Sequence, residues 1–303
     1  MKKRLISLVL VAAMGAAMLA GCGSKKDSAG DAQNAPSAQE ETQSSAAEEK
    51  AEGTDVTVFA AASLSTVLDE LIKEYNKTNP DVKIIASYDS SGTLMEQIEN
   101  GAACDVFFSA AQKQMNQLEE DSFLVEGTRH NVVNNQVCVV TYKGSNTKVT
   151  GLANIKDASS IALADGSVPV GKYTRQAMVT AGMLEEVEDV STITTEEVSK
   201  ALGGVEINEC ANVSAVASQV AEGSNEVGTV YYSDTYGLED KLEILEKVSY
   251  DLTGNVIYPV SQVVNDEADD AEKQAALDFV NFLISDTAKA VFDSYYFDTN
   301  VED

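Results

Sequence analysis

The sequence predicts an α/β fold in which mainly parallel sheets are flanked by helices. Short apolar runs with the character of strands alternate with helical segments from residue 56 onward, and such alternation is typical of βαβ units. The first two strand–helix units also share a serine at the junction between strand and helix. After a polar N-terminal stretch, about 250 residues remain, which is enough for one large domain or two lobes.

The individual elements follow from runs and periodicities of apolar residues. Strands are predicted at residues 56–60, 82–88, 105–108, 136–142, 160–165, 226–232 and 254–264. Helices are predicted to begin at residue 64, after residue 93 and after residue 171, and to occupy residues 111–120, 212–223, 270–284 and 286–295. Asn212 is a favourable N-cap, and Gly223 is a favourable stop for the same helix.

A serine lies where each of the first two helices begins. Ser63 follows the strand at residues 56–60, and Ser91 follows the strand at residues 82–88. Such a junction combines unpaired backbone N–H groups, the positive end of a helix dipole and a hydroxyl donor, so it favours an anion. Consecutive βα units place both junctions on one rim of a sheet. The alternative is that each serine only caps its helix.

Residues 1–22 have the pattern of a signal peptide. Basic residues 2–4 precede an apolar run at residues 5–19, which is short for a membrane-spanning helix. Residues 19–22 resemble the lipobox of bacterial lipoproteins, which implies that Cys22 carries the lipid. We therefore expect a protein that is anchored by lipid at the extracytoplasmic face of the cell membrane.

Residues 23–53 are rich in Ser, Ala, Gln, Glu, Lys and Asp and predict a disordered tether. A flexible chain of this length has a root-mean-square span of about 30 Å. The tether would let the folded part stand above the bilayer. A single acyl chain binds membranes only marginally, so the anchor needs several chains.

Charge and cysteine content narrow the class of protein. The formal net charge is −28, from 49 acidic and 21 basic residues, which argues against nucleic acid and against adhesion to anionic lipid. After the lipobox, Cys104, Cys138 and Cys210 are odd in number and widely spaced, so they form neither a disulfide framework nor a zinc motif. Buried free thiols are predicted, with one disulfide as the alternative.

Six segments follow one another in the order of a known family: residues 56–64, 88–94, 101–110, 168–173, 212–213 and 228–234. They resemble the molybdate-binding proteins of bacterial ABC transporters, which belong to the type II periplasmic binding proteins. The resemblance covers most of the folded chain. It implies a monomeric, two-lobed α/β protein that closes on an oxyanion and delivers it to an ABC permease. The implied lobes are residues 54–135 with 250–303, and residues 136–249, joined by two crossover segments.

The resemblance also implies five ligand-binding residues. Hydroxyl donors fall on Ser63 and Ser91, backbone N–H donors on Val170 and Val213, and a tyrosine hydroxyl on Tyr231. The neighbouring Tyr232 is the second choice for the tyrosine.

Two positions depart from the family pattern. Asp89 stands where the family usually has a small residue, and it could either repel a dianion or point to solvent. Tyr296 stands before Phe297 where the family commonly has a glycine, and no functional consequence is predicted there.

Neutral donors suit molybdate or tungstate, which are dianions that accept hydrogen bonds and donate none. Hydroxyls and amides satisfy such an ion without a buried countercharge, whose desolvation is costly. Molybdate and tungstate have nearly the same size and charge, so the sequence does not separate them. Sulfate and phosphate are alternative tetrahedral ligands. Phosphate near neutral pH carries a proton and needs an acceptor, for which Asp89 is the only carboxylate within a serine motif.

A serine hydrolase is the rival from another class. The chain has no G-x-S-x-G motif, and its sole histidine, His130, lies in a polar stretch that resembles a loop. Without a base the serines have no activation. Carboxylates are scattered and form no cluster with His or Cys ligands, so no metal site and no cofactor are predicted. The sequence favours a binding protein without enzymatic activity.

Overall fold

The computed structural model describes residues 53–302. The predicted signal peptide, the predicted lipidation site Cys22 and, apart from Gly53, the predicted tether lie outside the described residues. Within residues 53–302, no helix is both long and apolar enough to cross a membrane.

Five strands form the first sheet. They are β1 (Thr54–Ala61), β2 (Val82–Asp89), β3 (Val106–Phe108), β4 (His130–Asn135) and β10 (Val256–Gln262), in the order β2-β1-β3-β10-β4. β1 runs parallel to β2 and β3, whereas β10 runs antiparallel to β3 and β4. The three parallel strands are those of the predicted βαβ units, and their carboxyl ends meet at one rim.

Helices cover both faces of this sheet. They are α1 (Ser65–Asn76), α2 (Ser91–Glu99), α3 (Gln112–Glu120), α8 (Asp270–Leu283) and α9 (Asp286–Ser294). Alternate side chains of β1 enter two different clusters: Val56 and Val58 join the large core, whereas Phe59 packs with Leu94 of α2 and Met115 of α3. Burial on both faces explains why β1 is almost continuously apolar.

The second sheet repeats the arrangement of the first. Its strands are β5 (Val137–Tyr142), β6 (Ser160–Ala164), β7 (Glu206–Cys210), β8 (Val227–Tyr231) and β9 (Leu242–Lys247), in the order β7-β6-β8-β5-β9. β6 is parallel to β7 and β8, and β5 is antiparallel to β8 and β9. The associated helices are α4 (Pro169–Thr180), α5 (Thr195–Ala201) and α6 (Val213–Ala221).

The two sheets define two lobes, as predicted. The chain passes from lobe 1, built on the first sheet, to lobe 2, built on the second, at Gln136. It returns through residues 248–255, which include the short helix α7 (Tyr250–Thr253). The division at residues 135/136 and 249/250 stays a prediction.

Three strands that the sequence pattern did not predict are edge strands. β4 closes one edge of the first sheet, and β7 and β9 lie at the two edges of the second. Edge strands carry polar and charged side chains that discourage pairing with other chains, so they lack the apolar signal of central strands. The interpretation of the segment around His130 as a loop is therefore wrong, because His130 begins β4.

Tyr296 adopts a backbone conformation that favours glycine, with φ of 69°. Its ring stacks on Tyr232 of lobe 2 with 4.7 Å between ring centroids. Its hydroxyl donates to the Glu239 carboxylate at 3.0 Å. These contacts with the other lobe offset the strain of a bulky residue in the left-handed region, which gives a structural reason for the departure at this position.

Candidate oxyanion-binding site

The structure brings all five predicted ligand-binding residues to one cavity between the lobes. Ser63, Ser91, Val170, Val213 and Tyr231 all line it. The two serines come from lobe 1 and the other three residues from lobe 2. Their roles as ligand donors stay a prediction.

Ser63 lies in a short 3₁₀ turn, Ala62–Leu64, that links β1 to α1. Its hydroxyl shares a hydrogen bond of 2.9 Å with the Tyr258 hydroxyl of β10. Tyr258 also accepts a hydrogen bond of 3.1 Å from the side-chain amide of Asn135. Ser63 does not cap α1, because the N-cap residue is Leu64 and no side-chain cap bond is made there. The simple capping explanation therefore fails for Ser63.

At the second junction, capping and cavity lining are divided between two serines. Ser90 is the N-cap of α2, and its hydroxyl accepts from the Thr93 N–H at 3.1 Å. Ser91 is fully buried, and its hydroxyl oxygen accepts from the Ala110 N–H at 2.9 Å. That bond uses a lone pair of Ser91 and leaves its O–H proton for another acceptor.

Val170 reaches the cavity through the first turn of α4. The helix begins with Pro169 and has no side-chain cap, so the N–H of Val170 has no partner within the helix. Gly171 lets this turn approach β6 closely, because a Cβ there would lie 2.0 Å from the Asp165 carbonyl oxygen. The fully buried Arg175 fixes the same turn by donating to the carbonyl oxygens of Ala164 and Gly171.

Val213 is the first residue of α6 and is buried. Asn212 caps this helix, as the sequence predicted, because its side-chain oxygen accepts from the Ala215 N–H at 3.0 Å. The cap uses a donor further along the turn, so the N–H of Val213 has no partner within the helix.

Tyr231 ends β8 and is 1% exposed. Its hydroxyl has no hydrogen-bond partner of acceptable geometry, although the ring lies edge-to-face with Tyr258 at 5.8 Å. Burial, and then the neighbouring Tyr258, raise the pKa of Tyr231 well above its usual range, so the hydroxyl keeps its proton. Tyr232 does not line the cavity, because its ring packs against Tyr296 and under the Lys247 ammonium.

Asp89 also lines the cavity. Asp89 is the last residue of β2, and it is half-buried rather than fully solvated. Its Oδ1 accepts from the Ser90 N–H at 2.7 Å and from the Asn212 side-chain amide at 3.3 Å. Of the described residues that line the cavity, Asp89 alone is charged, and none is a lysine, an arginine or a histidine.

A family match extends over residues 56–298 and carries the description "Bacterial extracellular solute-binding protein". The chain belongs to this family of extracellular solute-binding proteins. The match spans both lobes, so the whole described fold, and not one lobe alone, is that of the family.

Relatives of this solute-binding protein cover most of its length. The molybdate-binding protein ModA of Haemophilus influenzae is 32% identical over 249 residues, which are 80% of this chain and 89% of the relative. ModA of Escherichia coli is 28% identical over 249 residues, which are 80% of this chain and 88% of the relative. A Bacillus subtilis protein, assigned by name to the substrate-binding lipoproteins of ABC transporters, is 30% identical over 243 residues, with 80% and 85% covered.

Solved structures show the same two-lobed fold. The periplasmic molybdate-binding protein of Azotobacter vinelandii has a TM-score of 0.66 at 21% identity, covering 80% of this chain and 98% of that one. The sulfate-binding protein SubI of Mycobacterium tuberculosis has a TM-score of 0.63 at 14% identity, with 80% and 86% covered. At these identities the likeness concerns the fold alone.

Several residues of this solute-binding protein that shape the cavity were missed by sequence reasoning. Ser90 and Ala110 line the cavity, Tyr258 shares a hydrogen bond with Ser63, and the side-chain amide of Asn212 donates to Asp89, which also lines the cavity. Ser90 had a usable signal, because serine is a favoured N-cap and Ser90 stands at the start of a predicted helix. Tyr258 had none, because its contact with Ser63 joins residues 195 positions apart.

Cys104, Cys138 and Cys210 are free and buried in the structure, so the prediction of buried free thiols is confirmed for these three residues. Burial raises the pKa of the Cys104 thiol and of the Cys138 thiol to about 12. Among residues 53–302, no group of three metal-ligating side chains occurs.

Proposed function

We propose that this solute-binding protein captures molybdate, or its near-isostere tungstate, in the cavity between its lobes and delivers it to an ABC permease. The hydroxyls of Ser63, Ser91 and Tyr231 and the N–H groups of Val170 and Val213 would donate to the four oxygens. The chain would be tethered through a lipid on Cys22 at the extracytoplasmic face of the membrane. Neither a cofactor nor an enzymatic step is part of this proposal.

The Tyr231 hydroxyl carries the proposal. A buried hydroxyl without a partner costs about 1–3 kcal/mol, and such groups are rare enough to require an explanation. Tyr231 lines a cavity together with two helix N-termini and two serine hydroxyls. A bound oxyanion would supply the missing acceptor. Tyrosine is protonated at neutral pH, and the raised pKa of Tyr231 makes loss of its proton still less favourable.

The balance of charge supports a fully deprotonated tetrahedral anion. Among residues 53–302, no lysine, arginine or histidine side chain lines the cavity, and an anion held by neutral dipoles does not require a second desolvated ion. Five hydrogen bonds to a charged acceptor contribute roughly 8–15 kcal/mol in total. Association costs at least about 4 kcal/mol, so roughly 4–11 kcal/mol remains, which corresponds to dissociation constants from about 1 mM to about 10 nM.

A protonated oxyanion such as hydrogen phosphate is the second candidate, favoured by one observation. Asp89 lines the cavity and its carboxylate could accept the ligand's proton. Against this, one oxygen of Asp89 already accepts two N–H groups of the protein. Those two donors partly satisfy the charge and reduce its repulsion of a dianion.

Calorimetric titration with molybdate, tungstate, sulfate and phosphate tests the proposal. We expect tight and similar binding of molybdate and tungstate, and binding of sulfate and phosphate that is weaker by at least two orders of magnitude, because the cavity selects by size and by the absence of a ligand proton. Tighter binding of phosphate than of molybdate would establish the second candidate. Tyr231→Phe should weaken molybdate binding, and unchanged affinity would contradict the proposed site.

A further inference from the structure

The geometry points to Asp89 as a positioning residue that joins the donor segments of the two lobes. Asp89 Oδ1 accepts from Asn212 Nδ2 at 3.3 Å. Asp89 directly precedes the Ser90–Ser91 junction of lobe 1, and Asn212 directly precedes Val213 of lobe 2. One hydrogen bond therefore connects the segment that offers the Ser91 hydroxyl to the segment that offers the Val213 amide. This inference rests on the proposed oxyanion site.

Both partners of this hydrogen bond are held in fixed orientations by their own lobes. Asp89 Oδ1 also accepts from the Ser90 N–H at 2.7 Å, which orients the carboxylate at the start of α2. The Asn212 side-chain oxygen accepts from the Ala215 N–H at 3.0 Å. Because its oxygen caps α6, the NH₂ group of Asn212 must face away from the helix, and it faces Asp89.

A second contact between the lobes lies beside the first. A Cβ on Gly92 would lie 3.3 Å from the Ser167 carbonyl oxygen, so the first turn of α2 almost touches the loop before α4. Gln114 of α3 donates to the same carbonyl oxygen at 3.4 Å. The second serine junction therefore fits between the loops before α4 and before α6, which end in the predicted Val170 and Val213 donors.

A carboxylate next to an anion site has two opposing effects on binding. One comes from its charge and the other from its hydrogen-bond acceptor. Its negative charge opposes a bound dianion. Its Oδ1 holds the donors of both lobes at the spacing that the dianion requires, which removes part of the ordering cost on binding. Asparagine keeps the acceptor oxygen and removes the charge, whereas alanine removes both.

The decisive comparison is therefore between Asp89→Asn and Asp89→Ala, with molybdate as the probe. We expect Asp89→Asn to bind as tightly as the wild type or more tightly. We expect Asp89→Ala to bind roughly tenfold more weakly than Asp89→Asn, mainly through faster dissociation. If the carboxylate acted by charge alone, both variants would gain affinity equally, and that result would overturn the inference.

Asn212→Ser tests the partner without removing the helix cap. Serine is an equally good N-cap, but its short hydroxyl does not extend to Asp89. We expect Asn212→Ser to weaken molybdate binding by roughly tenfold in the wild-type background. In a chain that already carries Asp89→Ala, the same substitution should cause no further loss of affinity. Fully additive effects would show that the two residues act independently and would overturn the inference.

Lys113→Met serves as the matched control. Lys113 of α3 donates to Asp189 at 2.7 Å and to Ser191 at 2.8 Å, so it also joins the lobes, but neither it nor its partners line the cavity. We expect less than a threefold loss of affinity for this variant. A loss as large as that of Asn212→Ser would show that any contact between lobes has this effect, and would overturn the specific role of Asp89.

Failure of the proposed function has a different signature. If the wild-type protein binds none of molybdate, tungstate, sulfate and phosphate, the proposed function is wrong. The contact is then judged by urea unfolding of the same four chains: wild type, Asp89→Ala, Asn212→Ser and the double variant. Non-additive changes in unfolding would support the connection between the segments, and additive changes would overturn it.

Discussion

The two lobes contribute chemically different donors to the same cavity. Lobe 1 offers side-chain hydroxyls, Ser63 and Ser91, and each is held by a hydrogen bond inside its own lobe. Lobe 2 offers backbone N–H groups at two helix starts and the unpartnered hydroxyl of Tyr231. The contribution of lobe 1 depends on residue type, whereas the two amides of lobe 2 depend on where the backbone lies.

This difference predicts how the two lobes respond to substitution. In lobe 1, removing a hydroxyl removes the donor itself. In lobe 2, most side-chain changes at the amide positions leave the donor in place, and the sensitive positions are those that set the path of the backbone. The substitutions below test that distinction in order of decreasing expected effect.

Gly171→Ala should have the largest effect. The added Cβ would lie 2.0 Å from the Asp165 carbonyl oxygen and 2.5 Å from that of Ala164, so the first turn of α4 must move. We expect a loss of about 3 kcal/mol in the free energy of unfolding and weaker molybdate binding, because the Val170 amide moves with the turn. Urea unfolding and calorimetry measure the two losses.

Gly203→Ala is the control for this substitution. Gly203 has φ of 85° and nothing within 4 Å of an added Cβ, so alanine there introduces backbone strain without a collision. It should cost about 1 kcal/mol of stability and leave molybdate affinity unchanged. Equal losses at the two glycines would contradict the collision at Gly171.

Ser91→Ala should have the second largest combined effect on binding and stability. It removes one donor to the anion, worth about 1.5–3 kcal/mol of binding, and it leaves the buried Ala110 N–H without its acceptor at a cost of about 1–3 kcal/mol of stability. Ser63→Ala should lose similar affinity but less stability, because its partner Tyr258 keeps the hydrogen bond from Asn135. Equal melting temperatures for the two variants would refute this difference.

Tyr231→Phe should separate binding from stability. Molybdate affinity should fall by about 1.5–3 kcal/mol, while the ligand-free protein should gain about 1 kcal/mol, because an unpartnered buried hydroxyl is removed. Tyr258→Phe provides the contrast: its hydroxyl has two partners, so stability should fall. Thermal unfolding without ligand measures both, and a destabilised Tyr231→Phe would mean that its hydroxyl has a partner.

Val213→Ala should have the smallest effect on binding. The substitution removes two buried methyl groups and should cost about 1–2 kcal/mol of stability. The backbone N–H remains, and so do the Asn212 cap and its bond to Ala215. We expect molybdate affinity to change by less than threefold in calorimetry. A loss as large as that of Ser91→Ala would show that the Val213 side chain, and not its amide, is what the ligand requires.

The central strands and the edge strand β2 could be predicted from the sequence, but the other three edge strands, β4, β7 and β9, could not. β1, β5 and β8 are buried on both sides and read as continuous apolar runs. β9 carries Glu243, Glu246 and Lys247 at an edge of the second sheet. Its charges suit an edge in contact with water, and they are the reason that its sequence does not resemble a strand.

The candidate site also has features that the sequence predicts and features that it does not. The serine junctions and the Asn212 cap are local patterns, since strand end, cap and helix start are adjacent in the chain. Bonds between distant segments, such as Ser63 with Tyr258 and Asp89 with Asn212, have no local pattern. They depend on how β10 returns to lobe 1 and on how closely the lobes approach.

By itself, the sequence determined the α/β class, the central strands, the serine junctions and, through resemblance, five residues that meet at one cavity. Only the tertiary structure decided that Ser90 and not Ser91 caps α2, that Tyr231 and not Tyr232 lines the cavity, and that Asp89 contacts the other lobe. The physical reason is the distance along the sequence over which each kind of interaction acts. Apolar periodicity and caps act over a few residues, whereas the environment of a hydroxyl or a carboxylate is set by segments more than a hundred positions away.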